Sequence, residues 1–491
     1  TWEGFLSPTS AQAPACTRGM GRGGGVVAVR VLMLSWEYPP RVVGGLARAV
    51  CGLSRALVAR GVEVTVLTLG EAGSSFREED RGVEVIRVRN GFPSSPDLIP
   101  TIAHFNFDLI QAAVPLMETG FDLIHAHDWL VAYAARTLKH GYRLPLVATL
   151  HATEHGRNQG LHTPLQRYIH DMEWTLTYEA WRVILCSEAM REEASRLFHL
   201  PGDKTLVLPN GIEPDEVAVP EGEDLAAFRR AHAAPDQPMI LAMGRLVPEK
   251  GFHVLLDAFR LILERTPKAK LVLAGEGPQR KALEEQAERL GIAQHVYFKG
   301  FATDPVRNRL LHVADVAVFP SLYEPFGIVA LEAMSVGLPV VAARSGGLAE
   351  VVEHGETGFL VPPGDAGALA DALVPLLISP GLREHLGRKG QERARTRFGW
   401  VRVAERTLEA YHRILEERRQ VRWLSLLDGV RPRDRRADGG AGLEVLPSRY
   451  TGDGTLAPAT PAPAPGAAAQ GGRAGRAARP GHTSPGPASA S

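Results

Sequence analysis

Residues 316–347 read VAVFPSLYEPFGIVALEAMSVGLPVVAARSGG. VAVFPS is a short apolar run stopped by a proline. Residues 327–335 read as a helix, with Gly337 where a helix end belongs. PVVAARSGG is a second apolar run with a flexible, polar end. Strand, loop, helix and strand thus follow one another within one short stretch. Short apolar strands alternating with helices predict a parallel sheet covered on both faces. The stretch holds two carboxylates, Glu324 and Glu332, in mostly apolar surroundings. Glu324 falls in the loop before the helix and Glu332 one to two turns inside it. The free N–H groups of Gly327, Ile328 and Val329 at the helix start are predicted to point into the same cleft as Glu324.

The same alternation runs outward in both directions. VRVLMLSWEYPP reads as a buried strand and a loop. GGLARAVCGLSRALVARG follows as a helix with Leu46, Val50, Leu53 and Leu57 at helical spacing and Gly61 as its end. VEVTVLTLG, FDLIHAHDW, LPLVATLHATEHG and WRVILCSEAM continue the pattern. It restarts after LVLPNGIEP with PMILAMGRL, KLVLAGEGP, VYFKG, VAVFPS, PVVAARSGG and GFLVPPGD. Two α/β domains are therefore expected, at 29–200 and 201–398. A helix is expected at 399–420, with Ala404, Leu408, Tyr411 and Leu415 on one face. Residues 1–28 and the Pro-, Ala- and Gly-rich segment 430–491 carry no packing pattern and read as disordered.

Bulk properties agree with two cores. The chain has 491 residues, 45% of them hydrophobic, which exceeds what one core accommodates. Lys plus Arg equals Asp plus Glu at 55 each. That balance argues against nucleic acid or a membrane surface as partner. Three cysteines, Cys16, Cys51 and Cys186, form neither a disulfide framework nor a metal spacing. They fit a reducing compartment, so a cytoplasmic location is expected. No apolar run has the length of a membrane span. The run from Val26 to Leu34 is broken by Arg30 and reads as a first strand rather than a leader. Met20 is a possible internal start.

In open parallel sheets, ligands bind beyond the C-terminal strand ends. Four such loops carry chemistry-bearing residues. In PPRVVGGLARAV, Gly44 and Gly45 precede a helix. They make either a tight turn or a backbone cradle for an anion. In FDLIHAHDWL, His125 and His127 alternate along a strand and share a face. No further ligand lies at metal spacing, so no metal site is expected. Each histidine is either a cleft residue or a buried structural one. HATEHGRNQG adds His151, Glu154 and His155 after the next strand. In GRLVPEKG, Arg245 and Lys250 follow the first strand of the second domain. A forked donor and a point charge together suit a phosphate pair. LAGEGP is a similar glycine-rich strand end, and ARSGG, residues 343–347, lies beside the Glu324 loop.

Taken together, these motifs resemble the retaining glycosyltransferases of the GT-B kind. YEPFGIVALE matches their Glu-x7-Glu motif, and GRLVPEKG, LPNGIEP, LAGEGP, ARSGG and HAHDW accompany it. EYPPRVVGGLARAV, HAHDW and HATEHGRNQG narrow the resemblance to bacterial glycogen and starch synthases and their family 4 relatives. It covers residues 29–420. The resemblance implies two Rossmann-like domains facing a central cleft, an acceptor domain then a donor domain, with the C-terminal helix returning to the first. It implies transfer of glucose from ADP- or UDP-glucose to an α-1,4-glucan, with no metal and no other cofactor. Arg245 and Lys250 would bind the diphosphate. Glu324 would meet the donor sugar and Glu332 the ribose. The N–H groups of Gly45, Gly327, Ile328 and Val329 would meet the phosphates, with Gly44 beside them. His127, rather than His125, would contact the sugar near its reacting carbon.

One position departs from the pattern. Glycogen and starch synthases carry a lysine two residues before the Gly-Gly pair, and here Val42 stands there with Arg41 beside it. That leaves other acceptors open, a lipid or a small sugar. Rival activities are a nucleotide-sugar isomerase of the same architecture, a non-catalytic glycan binder, and a phosphorylase. The phosphorylase lacks a convincing cofactor-lysine context here. The binder is disfavoured by the intact set Arg245, Lys250, Glu324 and Glu332.

Overall fold

The computed structural model describes residues 28–71, 76–88 and 97–421. The expected disordered segment at 430–491 and all but the last residue of that at 1–28 lie outside them. Two sheets form. The first holds β1 (Arg30–Leu34), β2 (Glu63–Leu69), β3 (Arg77–Asp80), β4 (Val83–Val88), β5 (Leu123–His127), β6 (Leu146–Leu150), β7 (Arg182–Leu185) and β8 (Thr205–Val207). Its helices are α1 (Gly45–Val58), α2 (Leu98–Met117), α3 (Ala132–Tyr142), α4 (Glu154–Asn158), α5 (Pro164–Glu179) and α6 (Glu188–Phe198). The second sheet holds β9 (Met239–Met243), β10 (Lys270–Ala274), β11 (Val296–Gly300), β12 (Val316–Phe319), β13 (Val340–Ala343) and β14 (Gly358–Val361). Its helices are α7 (Leu225–Arg230), α8 (Phe252–Arg265), α9 (Arg280–Arg289), α10 (Asp304–Val313), α11 (Ile328–Ser335), α12 (Leu348–Val351), α13 (Ala366–Ile378) and α14 (Pro380–Arg397). The last helix is α15 (Trp400–Gln420).

Strand order is β3-β4-β2-β1-β5-β6-β7-β8 in the first sheet and β11-β10-β9-β12-β13-β14 in the second. Every pairing is parallel except β3 with β4. The central strands β5, β6, β9, β12 and β13 are buried along their whole length, as helices on both faces require. The antiparallel edge strand β3, sequence REED, was not expected. Its charges and its shortness protect an open sheet edge. Because β8 pairs with β7, the first sheet runs to Val207. The division at 200/201 therefore falls one strand too early. We call the two halves the N-lobe and the C-lobe.

After α14 the chain returns to the N-lobe. Trp400 lies against Gly52 of α1 and Gly211 of the lobe connection, and a Cβ at either glycine would collide with its ring. Further along α15, Tyr411 bonds His125 of β5 (2.6 Å), and Glu417 accepts from Trp181 and Arg182 (2.8 and 2.6 Å). The buried face of α15 is Trp400, Val403, Ala404, Thr407, Tyr411 and Ile414. Leu408 and Leu415, expected on that face, sit at its margin because the stripe is centred one position earlier. One apolar cluster includes residues of both lobes, Cys186 and Phe326 among them. No single helix among the described residues is long and apolar enough to cross a membrane.

Candidate active site

Strand order locates the site. In the first sheet the chain leaves β1 toward β2 and later returns to β5 on the other side. In the second, β9 is flanked by β10 and β12. The loops after β1, β5, β9 and β12 thus emerge at the two topological switch points, where open α/β sheets bind ligands. These four loops carry Gly44 and Gly45, Asp128, Arg245 and Lys250, and Glu324. His127 ends β5.

On the C-lobe side, Lys250 Nζ lies 2.5 Å from Glu324 Oε2, and Ser321 Oγ donates to the same oxygen (3.2 Å). Arg245 is half exposed and reaches Glu249 at 3.5 Å. The two cations therefore flank one loop, each next to a carboxylate of the protein. The loop 321–324 is held from beneath: Leu322 and Tyr323 N–H groups donate to the Glu249 carbonyl (2.8 and 3.2 Å). Gly347 N–H donates to the Glu324 carbonyl (2.9 Å), so ARSGG lies beside Glu324 as expected. Gly275 must be glycine because a Cβ there would strike the Gly244 carbonyl. Gly327, at φ 104°, starts α11 in the left-handed region that favours glycine. Ile328 and Val329 N–H groups have no hydrogen-bond acceptor among the described residues. They form a positive helix end next to the Lys250–Glu324 pair.

On the N-lobe side, the residues alone left both histidines undecided, the family resemblance favoured His127, and the structure separates the two. His125 is fully buried, with Nδ1 bonded to Tyr411 (2.6 Å) and Nε2 to Thr149 (2.7 Å). Burial pushes its pKa down to about 3, and His151 adds to the shift. It is a structural residue. His127 is also buried, but only its Nδ1 is bonded, to His151 Nε2 at 3.2 Å. Its Nε2 has no partner among the described residues. Burial, and then His125 and His151, hold it well below the usual range, so it is neutral at pH 7. Asp128 follows with φ 61° and ψ 170°, a combination costing roughly 1–3 kcal/mol for a non-glycine residue. The strain is held by its N–H on the Thr149 carbonyl (2.9 Å) and its carboxylate on the His151 N–H (2.7 Å). Of the other two residues flagged after β6, Glu154 accepts from Asn158 (2.9 Å) and His155 is half-buried in α4.

The Gly-Gly cradle is only partly free. Glu37 Oε2 accepts from the Val43 and Gly44 N–H groups (2.9 and 3.1 Å). An acidic group of the protein therefore already occupies the Gly44 N–H, which corrects the expectation for that residue. Burial raises the Glu37 carboxyl pKa, and those two N–H bonds oppose the rise. Gly45 stands against α11: a Cβ there would approach Ile328 to 3.1 Å. The starts of α1 and α11 thus meet across the cleft. Arg41 does not stand in for the absent lysine at 42. It turns to Glu71 (3.6 Å) and covers the Trp36 ring (5.3 Å).

Glu332 is 2% exposed and lies where the lobes meet. Its Oε1 faces Arg307 of α10 (3.2 Å) and Arg48 of α1 (3.6 Å), and Arg48 also pairs with Asp304 (2.6 Å). Its Oε2 has no partner among the described residues. One carboxylate oxygen thus joins the lobes while the other is buried and unpartnered. Arg48, Arg307, Glu37 and Asp128 were not singled out in the sequence. Only Arg48 carried a signal, one turn into the helix that follows Gly44 and Gly45. Among the described residues no group of three or more His, Cys, Asp or Glu could hold a metal.

Comparison with known proteins agrees with this geometry. The family model "Glycosyltransferase Family 4" matches residues 43–216, and "Glycosyl transferases group 1" matches 225–393. An uncharacterised glycosyltransferase of Methanocaldococcus jannaschii is 39% identical over 79% of this chain and 99% of its own length. A glycogen synthase of Mycobacterium tuberculosis is 37% identical over 78% of this chain and 94% of its own. Among solved structures, sucrose-phosphate synthase from Thermosynechococcus elongatus superposes with a TM-score of 0.68 at 26% identity. That match covers 79% of this chain and all of the other. With two parallel sheets, paired switch points and relatives matched almost end to end, this chain belongs to the GT-B glycosyltransferases, in the group joining family 4 and group 1 domains.

Proposed function

We propose that the protein is a retaining glucosyltransferase that moves glucose from ADP- or UDP-glucose to an α-1,4-glucan. One observation carries the reading. The Lys250–Glu324 pair and the acceptor-free N–H groups of Ile328 and Val329 converge at one switch point, with Arg245 at its rim. Negative charge grows on the departing diphosphate, and a guanidinium, an ammonium and a helix start are the groups that stabilise it. Glu324 holds hydroxyls of the sugar, and the free Oε2 of Glu332 holds the ribose. Neutral His127 offers its unpaired Nε2 to the sugar from the opposite lobe. No carboxylate is assigned to attack. The acceptor enters on the leaving-group side and gives its proton to the departing phosphate oxygen, which retains configuration. The protein's own cations supply the charge, so no metal is required. The 37% identity to a glycogen synthase supports glucan as acceptor.

A second acceptor reading has its own observation. Val42 replaces the lysine of the synthases and Arg41 points elsewhere. A D-inositol 3-phosphate glycosyltransferase of Catenulispora acidiphila is 33% identical over 79% of this chain and 94% of its own. A small polyol phosphate is therefore the acceptor to set against glucan.

The test mixes purified protein with ADP-glucose, UDP-glucose or GDP-mannose, alone, with glycogen, or with an inositol phosphate. Released nucleotide is measured in buffer containing EDTA. Glycogen-dependent release from a glucose donor is expected, with an α-linked product by NMR. Release that requires the inositol phosphate moves the assignment to the second reading. Release from no donor overturns both.

A further inference from the structure

Glu324 is gripped from both sides by the opposite lobe. Its own loop is anchored in the C-lobe through the Glu249 and Glu324 carbonyls. The two residues flanking it turn the other way. Tyr323 OH donates to Glu193 Oε1 on α6 (3.0 Å) and accepts from the Thr153 N–H (3.3 Å). The Tyr323 ring lies on Gly156 of α4, where any Cβ would collide with it. Thr153 caps α4 by accepting from the Gly156 N–H (2.9 Å), and its hydroxyl donates to the same Glu193 oxygen. On the other flank, the Pro325 carbonyl accepts from Ser187 Oγ (2.7 Å) and Cys186 Sγ (3.5 Å). Glu350 of α12 completes the grip by accepting from the Glu188 and Ala189 N–H groups at the start of α6 (3.1 Å each).

We infer that Tyr323 is a positioning residue that ties the placement of Glu324 to lobe closure, with Gly156 as its required seat. Backbone bonds hold residues 323 and 324 to the C-lobe, and beyond Glu324 the Pro325 carbonyl reaches the N-lobe. On the near side of Glu324 only the hydroxyl and the ring of Tyr323 make that link. Glu324 then meets the sugar in its working position only when the lobes are closed and water is displaced. This accounts for the HATEHG segment, whose small residue at 156 has no other role in the site. A donor bound to the open enzyme is thereby kept from hydrolysis. The inference rests on the reading of Glu324 as a contact to the donor sugar.

Two variants test it. Tyr323→Phe keeps the ring on Gly156 and removes the hydroxyl. Gly156→Ala puts a methyl group under the ring. Tyr323→Phe is expected to lower kcat about 10- to 100-fold, the worth of one hydrogen bond to a charged group. Its affinity for ADP or UDP by calorimetry and its Tm should match wild type. Adding Glu193→Gln to it should cost little more, since both substitutions break one network. Gly156→Ala should enlarge the radius of gyration by X-ray scattering with ADP or UDP present. A wild-type kcat for Tyr323→Phe, or a kcat loss matched by a fall in Tm, overturns the inference. If wild type transfers from no donor, the function above fails and scattering alone decides. An unchanged radius for Gly156→Ala then rejects the coupling, and an enlarged one supports it.

Discussion

The two switch points solve different electrostatic problems. The C-lobe point is charged: Lys250 and Glu324 pair, mostly buried, within it, and Arg245 stands half in solvent at its rim. The N-lobe point is buried and holds no paired cation of this kind. His125 and His127 are held uncharged, and the carboxyl groups of Glu37 and Asp128 accept from backbone N–H groups. A diphosphate needs cations, and both cations here stand beside a protein carboxylate with which a bound diphosphate would compete. A sugar ring needs directional neutral groups, and burial supplies those by removing charge. The division of labour predicts that damage to the C-lobe point falls on turnover through charge. Damage to the N-lobe point splits residue by residue between turnover and stability.

The largest expected effect is at Arg245. Arg245→Ala removes a preorganised cation and should cost about 10²–10³ in kcat. Its present contact is a surface ion pair, worth roughly 0–1 kcal/mol, so Tm should hardly move. Matched losses of turnover and stability would make Arg245 structural and break the contrast between the lobes. Lys250→Ala is a harsher probe. It also leaves Glu324, 8% exposed, without its cation, so activity and stability should both fall.

The next effect compares neighbours on one strand. His127→Gln should lower kcat and leave Tm close to wild type, because only one ring nitrogen is bonded. His125→Phe should do the reverse. It strands the buried hydroxyls of Tyr411 and Thr149, at roughly 1–3 kcal/mol for each unsatisfied group. Thermal melts and initial rates on both variants separate the two roles. If His125→Phe abolishes transfer at full stability, the division between them is wrong.

These neighbours also show how far the sequence is legible. Alternate residues on a strand share a face, and here the two rings lie 4.2 Å apart. Nothing local distinguishes them. What does is Tyr411, which arrives from the far end of the chain. The C-lobe point was readable for the opposite reason. Charged residues set among glycines at the end of an apolar strand have no packing role, so Arg245, Lys250 and Glu324 stood out. The alternation of apolar runs and helices likewise disclosed both sheets. Glu37 did not stand out, since its N–H partners at 43 and 44 meet it only after the Pro39–Pro40 turn folds back. Glu332 was read as a ligand contact, but its link to Arg48 crosses the lobes and leaves no spacing to find. The edge hairpin of β3 and β4 was missed because REED carries no apolar alternation.

The smallest effect lies at the lobe connection, where the two switch points are joined. Glu216 accepts from Trp400 Nε1 (2.9 Å) and is raised to about 7, chiefly by burial, with Glu332 adding to it and Arg48 opposing. Its folded pKa thus exceeds its unfolded one. Above pH 7 the carboxylate is charged in both states, and the folded state bears the cost. As pH falls through 7 toward 4.5, the folded state takes up a proton first and that cost fades. Glu216→Gln keeps an acceptor for Trp400 and removes the charge. It should raise Tm by a few degrees at pH 8 and by progressively less toward pH 5. Melts across that range measure the difference directly. A gain independent of pH would mean that packing, not charge, sets the cost at this residue. A loss at pH 8 would mean that Arg48 holds Glu216 as an ion-pair partner and that the charge there stabilises the closed lobes.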